Sequence, residues 1–124
     1  MPGRQRVAIV DDEEFVVLGL KETLEAHGYA VAAVAHSYED AVAVVERRDA
    51  CEIAFVDLGL GGKPAGIDIA RRAVRNGWAV VVMTGGASLP ADLAGAALLL
   101  KPFSDESVRT VLHTLGRRDR SPVA

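Results

Sequence analysis

The feature that most constrains this chain is a regular alternation between short apolar, β-branched runs and segments with the period of a helix. The apolar runs lie at Arg6 to Val10, Ala30 to Ala35, Ile53 to Val56, Ala79 to Met83 and Ala97 to Leu100. Strands that alternate with helices usually pair in parallel, because each helix carries the chain back along the sheet. Most of these runs are apolar throughout, which predicts a sheet covered on both faces.

The segments between and after these strands predict helices with defined ends. They extend from Glu14 to His27 before Gly28, from a cap at Ser37 through Arg48, from Ile67 to Asn76 before Gly77, and from a cap at Ser104 to a stop at Gly116. Serine caps a helix start, and glycine suits a left-handed helix end. Only about a dozen residues follow Thr84 before the last strand, and they include Gly85, Gly86, Pro90 and Gly95. The helix expected there should be short, irregular or missing.

Composition limits the classes of function that this chain could have. Its 124 residues, half of them hydrophobic, suffice for one domain, with a core over residues 6–116 and a polar tail over 117–124. Its net charge of -3 argues against nucleic-acid binding. No apolar stretch approaches the ~20 residues of a membrane span. The lone Cys51, beside an apolar run, fits a buried reduced thiol, so a cytoplasmic protein is expected.

Polar side chains follow the predicted strands at the points where the strands end. These residues are Asp11 to Glu14, Asp57, Thr84 and Lys101. In an open parallel sheet, ligands bind outside the carboxyl ends of the strands. Crowded carboxylates repel one another, and an oxygen-seeking cation such as Mg²⁺ relieves that repulsion. Asp12, helped by Asp11 and by Asp57, would hold the metal, and the backbone carbonyl of Gly59 could add a ligand.

The same residues suit phosphoryl transfer, whose transition state spreads negative charge over three oxygens and needs positioning and positive charge. Asp57 would be the nucleophile that becomes an acyl phosphate. Lys101 would pair with one phosphoryl oxygen, and Thr84 would donate a hydrogen bond to another. The three histidines, His27, His36 and His113, share no predicted site and are expected to be surface or packing residues.

Each of these features also has a purely structural interpretation. The acids after the first strand could cap the following helix, the Thr-Gly-Gly turn could be a simple loop, and Lys-Pro could be a helix entry. Taken one at a time, these interpretations are the more common ones. The joint placement of an acid, a hydroxyl and an ammonium at successive strand ends is what favours the functional interpretation.

The chain resembles the receiver domains of two-component response regulators from Arg6 to Leu115. The motifs that carry the resemblance are Val10-Asp11-Asp12-Glu13, Val56-Asp57-Leu58, Met83-Thr84-Gly85 and Lys101-Pro102-Phe103. The resemblance implies a doubly wound, flavodoxin-like α/β fold with strand order 2-1-3-4-5, flanking helices and a cis bond before Pro102. It also implies Mg²⁺-dependent phosphorylation of Asp57 by a histidine kinase or a phosphotransfer protein. Such a domain is a signalling phosphoacceptor and not an enzyme, apart from self-catalysed phosphoryl transfer and hydrolysis.

Two departures from the family pattern change what is expected. Receivers commonly carry Tyr or Phe three residues before the lysine, and here that residue is Leu98, which excludes an aromatic switch at this position. The short segment after Met83-Thr84-Gly85-Gly86 resembles a group of single-domain receivers that is associated with HWE-type histidine kinases and has a poorly ordered fourth helix. We expect phosphorylation to draw Thr84 towards the phosphoryl group and to reorder or shift the segment from Gly85 to Gly95.

The output of such a domain stays open at this point. With no output domain expected after Leu115, the signal would leave by protein contact or phosphoryl relay, as a shuttle, a phosphate sink or a docking regulator. The 124 residues could also be cut from a longer protein, with a linker starting at Arg117.

Three rival classes are weighed against the phosphoacceptor. A degenerate receiver would bind partners without phosphorylation, and the intact set of acids, threonine and lysine argues against it. A phosphohydrolase that forms an aspartyl phosphate usually places a second Asp where this chain has Gly59. A flavodoxin-like cofactor binder would want a phosphate-binding loop after the first strand, where the acids Asp11 to Glu14 would repel phosphate.

Overall fold

The computed structural model describes residues 4–62, 64–86 and 88–119, which form one five-stranded parallel sheet with helices on both faces. The strands are β1 (Arg6–Val10), β2 (Ala30–Ala35), β3 (Ile53–Asp57), β4 (Ala79–Thr84) and β5 (Ala97–Leu100). The α-helices are α1 (Glu14–Ala26), α2 (Tyr38–Glu46), α3 (Ala65–Arg75) and α4 (Asp105–Asp119). The strand order β2-β1-β3-β4-β5 confirms the predicted doubly wound fold.

The register of the sheet aligns the carboxyl ends of its central strands. Asp57, the last residue of β3, pairs with Met83, and Thr84, the last residue of β4, pairs with Leu100. These pairings extend both strands one residue beyond their predicted ends. Both polar residues therefore belong to the strands themselves, where the ladder fixes their backbone positions.

Two hydrophobic clusters cover the sheet, one on each face. The helix side chains that form them are Ala41, Val45, Ile69, Ala70 and Ala73 from α2 and α3, and Val17, Leu20, Leu24, Val108, Val111, Leu112 and Leu115 from α1 and α4. Each fully buried leucine or valine contributes roughly 1.5–3 kcal/mol relative to exposure. β1 and β3 are buried on both faces from Val7 and Ile53 onward, as their continuous apolar runs predict.

The prediction of full coverage is wrong at both edge strands. In β2, Ala32 and Val34 are exposed. The larger exposure is in β5. Leu98 and Leu100 remain 46% and 57% exposed, whereas Ala97 and Leu99 are buried. The cause is the missing helix between β4 and β5: the described residues there form only one 3₁₀ turn, Ala91–Leu93. The prediction of a short or missing helix in this connection is therefore confirmed, and its consequence is an uncovered apolar edge.

The helix starts follow the predicted caps more closely than the helix ends do. Ser37 Oγ accepts a hydrogen bond from Asp40 N at 3.2 Å, and Ser104 Oγ accepts one from Ser107 N at 3.1 Å. Helix α2 ends at Glu46, two residues before the predicted end, and α3 begins at Ala65, two residues before the predicted start. Such shifts are within the usual spread of helix boundaries.

The prediction that Gly116 ends the last helix is wrong, because α4 continues through it to Asp119. Gly116 does not adopt the left-handed conformation that ends a helix, whereas Gly28 and Gly77 do, with φ of 89° and 84°. Leu115 is buried in the core, and its packing outweighs the weak helix propensity of the following glycine. Within the predicted tail, residues 117–119 are thus helical, and residues 120–124 lie outside the described part.

Two further predictions concern the thiol and the membrane. Cys51 is free and buried, and burial raises the pKa of its thiol, which matches the expected packing role. None of the helices in the described ranges has the length and apolar character needed to cross a bilayer.

Candidate functional site

The carboxyl edge of the sheet brings together the residues that the strand ends predict. Asp11, Asp57 and Thr84 are buried there, Lys101 is half-buried and Asp12 is exposed. Asp57 lies on β3, between β1 and β4, so the loop after β1 and the end of β4 flank it. The structure thus places an acid cluster, a hydroxyl and an ammonium at one edge.

Lys101 bridges the acids of the site. Its Nζ lies 2.7 Å from Asp11 Oδ2, 3.1 Å from Glu13 Oε1 and 3.5 Å from Asp57 Oδ2. Its backbone N–H donates to Thr84 O at 2.8 Å, which continues the ladder between β4 and β5. Burial alone would lower the pKa of Lys101, but the carboxylates of Asp11 and Glu13 outweigh burial and raise it. The ammonium therefore stays charged beside Asp57.

Asp11 is the most deeply buried acid of the site. Its Oδ1 accepts a hydrogen bond from Glu13 N at 2.9 Å. Its Oδ2 is buried and forms an ion pair with the Lys101 ammonium at 2.7 Å. Burial raises the pKa of Asp11, and the nearby charge of Asp57 adds to this shift. A carboxylate that pairs with one ammonium still has lone pairs that can bind a cation.

The acids of the site fit a divalent cation. Asp11, Asp12 and Asp57 each offer a carboxylate oxygen within 4.8 Å of the others. Three oxygen donors of this kind are what Mg²⁺ prefers, with water completing its shell. Gly59 N donates to Asp57 Oδ1 at 3.0 Å, and Gly59 O accepts from Gly62 N at 3.2 Å. The role of the Gly59 carbonyl as a metal ligand stays a prediction.

Thr84 connects the site to the glycine-rich segment that follows β4. Its Oγ1 accepts a hydrogen bond from Gly86 N at 3.2 Å, which closes a tight turn. A side chain added at Gly85 would meet no atom within 4 Å, so the space beside Thr84 is open, as expected. The Lys101–Pro102 peptide bond is cis, which confirms another expectation.

Gly66, in the first turn of α3, fixes the backbone of Asp57 by close packing. A Cβ atom there would lie 2.3 Å from Asp57 O and 2.8 Å from Leu58 Cα. Both contacts are to backbone, so only glycine allows this approach. No local pattern distinguishes this glycine from the others, because its role depends on how closely α3 packs against the end of β3.

Two other contacts were not predicted from the sequence. Glu13, expected only to be part of an acidic run, is a partner of Lys101. His36, expected to be a surface or packing residue, is exposed, yet its Nδ1 lies 3.0 Å from the backbone oxygen of Asp11. The acidic motif gave some signal for Glu13, whereas nothing in the sequence around His36 indicated its contact.

The fold and this edge define a doubly wound α/β domain with an acidic pocket that fits a cation and contains a charged lysine. Residues 7–113 match the family model of the response regulator receiver domain, and the chain belongs to this family. No protein among curated sequences matches the chain significantly.

Solved structures with the same fold extend over nearly the whole chain. A CheY-like receiver domain protein from Methanospirillum hungatei JF-1 shares 25% identity and a TM-score of 0.78, covering 97% of this chain and 100% of its own. The receiver domain of PhyR from Erythrobacter litoralis shares 24% identity and a TM-score of 0.78, covering 98% and 97%. The BeF3-activated conformation of SdrG from Pseudomonas melonis Fr1 shares 24% identity and a TM-score of 0.75, covering 93% and 98%.

Proposed function

We propose that this protein is a phosphoacceptor of a two-component system, which receives a phosphoryl group on Asp57 from a histidine kinase or a phosphotransfer protein. The observation that supports this most is the meeting of the Lys101 ammonium with the carboxylates of Asp11 and Asp57 at one edge of the sheet. A cytoplasmic location belongs to the proposal and agrees with the free, buried thiol of Cys51.

The chemistry needs one nucleophile and positive charge around it. A carboxylate oxygen of Asp57 attacks phosphorus, the new O–P bond forms, and the P–N bond to the donor histidine breaks, with its electron pair returning to the imidazole. The Gly59 N–H holds Asp57 Oδ1, which orients the carboxylate for the attack. Asp11, Asp12 and Asp57 would hold Mg²⁺, which would supply positive charge that lowers the barrier. Catalysis is limited to this transfer and to hydrolysis of the product.

The groove between α1 and α4 supports a protein as the phosphodonor. It has a volume of about 460 Å³, and Phe15, Gly19, Lys101 and Phe103 are among its lining residues. Phe15 is 90% exposed, although large apolar side chains are usually covered. Because Lys101 lines both this groove and the acidic site, a donor seated there would lie beside Asp57.

The switch follows from the contacts of Thr84 and Lys101. Once Asp57 carries a phosphoryl group, Lys101 pairs with one of its oxygens and the Thr84 hydroxyl donates to another. The hydroxyl now accepts from Gly86 N, so its rotation removes a bond that shapes the turn after β4. The segment from Gly85 to Gly95 then reorders, since one 3₁₀ turn is its only regular structure among the described residues.

Beryllofluoride, which mimics the phosphoryl group, tests the switch. We expect it to change amide hydrogen exchange in the segment from Gly85 to Gly95, and the SdrG relative was solved in a BeF3-activated conformation. The amides of β1 serve as an internal reference, since that strand is buried and lies between β2 and β3. Unchanged exchange in the segment would refute the switch and leave phosphoacceptance intact.

Radiolabelled phosphotransfer tests the proposed function itself. A small phosphodonor or a kinase should label the protein with Mg²⁺ present, and Asp57→Asn or removal of the metal with EDTA should reduce labelling to background. Asp40→Asn, which removes an exposed acid from α2, is the matched control and should label like the unmodified protein. A protein that folds and binds partners without ever taking label would instead be a degenerate receiver that works as an interaction module.

A further inference from the structure

A histidine outside the acidic cluster contacts the backbone of that cluster. Val10, the last residue of β1, pairs with Ala35, the last residue of β2, so His36 emerges beside Asp11. His36 Nδ1 lies 3.0 Å from Asp11 O. A carbonyl oxygen can only accept a hydrogen bond, so Nδ1 carries the proton and donates it.

This hydrogen bond fixes one particular peptide group. The carbonyl of Asp11 belongs to the peptide that joins Asp11 to Asp12, and both residues offer carboxylate oxygens to the cation site. Asp11 N donates to Ala35 O at 3.0 Å, so the end of β2 and the residue after it hold both polar backbone groups of Asp11. The direction in which the chain leaves towards Asp12 is therefore set by His36 and by β2.

Asp12 depends on this backbone more than Asp11 does. The Asp11 side chain is buried and held by Glu13 N and Lys101. The Asp12 side chain is exposed, and within residues 4–62, 64–86 and 88–119 it has no hydrogen bond or ion pair. Without a cation, the three carboxylates of the site repel one another, and a side chain that nothing holds turns away. A cation then binds more weakly, because part of its binding free energy is needed to bring that side chain back.

We propose that His36 is a positioning residue for the divalent cation, which acts by holding the Asp11–Asp12 peptide so that the acids of this edge face one point. The inference rests on the proposed function, because it concerns the cation of the same site. Hydrogen bonds that orient metal ligands typically contribute 10–100-fold to metal affinity. Because His36 holds its ligands through the backbone, we expect an effect of about 10-fold, at the low end of that range.

The chain contains a matched control for this contact. His27 Nδ1 lies 2.8 Å from Thr23 O, at the carboxyl end of α1. Helix α1 runs back from the cation site, so His27 lies at the opposite edge of the sheet. Removal of either imidazole deletes one hydrogen bond to a backbone carbonyl, but only His36 holds a peptide of the cation site.

Mg²⁺ titrations followed by the amide resonances of Asp12, Asp57 and Gly59 test the proposal. We expect His36→Ala to raise the Kd for Mg²⁺ about 10-fold, while His27→Ala leaves it unchanged. We expect His36→Asn to restore the affinity, because the asparagine amide nitrogen is as many bonds from the backbone as Nδ1 is. Thermal unfolding without metal, measured on each variant, separates lost affinity from lost stability.

The possible results lead to distinct conclusions. An unchanged Kd in His36→Ala would overturn the positioning role, and so would an Asn variant that binds Mg²⁺ as weakly as the Ala variant. An equal loss of affinity in His27→Ala would also overturn it, because the effect would then come from general stability. If the unmodified protein itself does not bind Mg²⁺, both this inference and the proposed Mg²⁺-dependent function fail.

Discussion

Two connections leave neighbouring strands beside Asp57, and they are built in opposite ways. In the connection from β3 to α3, Leu58 and Leu60 are buried, Leu58 N donates to Met83 O at 2.9 Å, and Gly66 packs against backbone. In the connection from β4 to β5, the described residues contain one 3₁₀ turn, with Leu93 as the buried leucine.

The two connections would have different roles in the proposed function, and their structures differ accordingly. The first positions Asp57, the nucleophile of the proposed function, and a misplacement of about 1 Å can cost on the order of 100-fold in rate. The second follows Thr84, which would change partners in the proposed switch, so a rigid connection there would oppose switching. Close packing resists small displacements, whereas a segment with few buried contacts can change conformation at little cost in free energy.

The largest effect that tests this comparison comes from the buried leucine of each connection. We expect Leu60→Ala to reduce the free energy of unfolding by about 4 kcal/mol and Leu93→Ala by about 2 kcal/mol. Both side chains are almost completely buried, but the thin segment around Leu93 can collapse into the space that the substitution leaves. Urea denaturation measures both values. Equal losses would mean that the two connections are equally rigid.

A smaller effect is expected from one glycine in each region. We expect Gly66→Ala to destabilise the protein by about 2–3 kcal/mol, because the new Cβ would overlap the backbone of Asp57 and Leu58. This loss would occur although alanine favours helices more than glycine does. Gly85→Ala is the matched control, and its expected change is within about 0.5 kcal/mol because the space around it is open. A mild effect of Gly66→Ala in urea denaturation would show that α3 can move away from β3.

The parts of this molecule that depend on local pattern were predictable from the sequence. The apolar runs defined the strands to within one residue, because a strand buried on both faces needs an unbroken apolar run. Asp57, Thr84 and Lys101 followed from the rule that polar residues at strand ends share an edge. The predicted helix end at Gly116 is wrong because a glycine can end a helix but need not, and the packing of Leu115 decides the outcome here.

Other parts depend on geometry that no single segment contains. His36 reaches Asp11 because β1 and β2 shift register between Val7 and Ala8, so counting residues from the start of each strand would not align them. Gly66 matters only because α3 lies so close to β3. The exposure of Leu98 follows from a helix that is missing on the neighbouring connection rather than from β5 itself.

The smallest effect on stability is expected from the ion pair that ties the adaptable connection to α3. Arg71 Nε and Nη2 donate to the two carboxylate oxygens of Asp92 at 2.7 and 3.0 Å, and the two side chains are 42% and 56% exposed. The hydrogen bond from Arg71 lowers the pKa of Asp92. A lowered pKa in the folded protein adds stability above the carboxyl's unfolded pKa, and this contribution is lost as the pH falls through the folded value.

Arg71→Gln should therefore move the pKa of Asp92 up towards its ordinary value, which a carbon-detected NMR titration of the carboxyl measures. The urea midpoint at neutral pH should hardly change, because solvent screens exposed pairs. Amide exchange in the turn Ala91–Leu93 should become faster, since the contact that holds Asp92 to α3 is lost. Arg109→Gln removes the same charge from the exposed face of α4 and should alter none of the three. If Arg71→Gln instead lowered the midpoint as much as Leu93→Ala, the ion pair would be a main anchor of this connection, and the contrast with the β3–α3 connection would disappear.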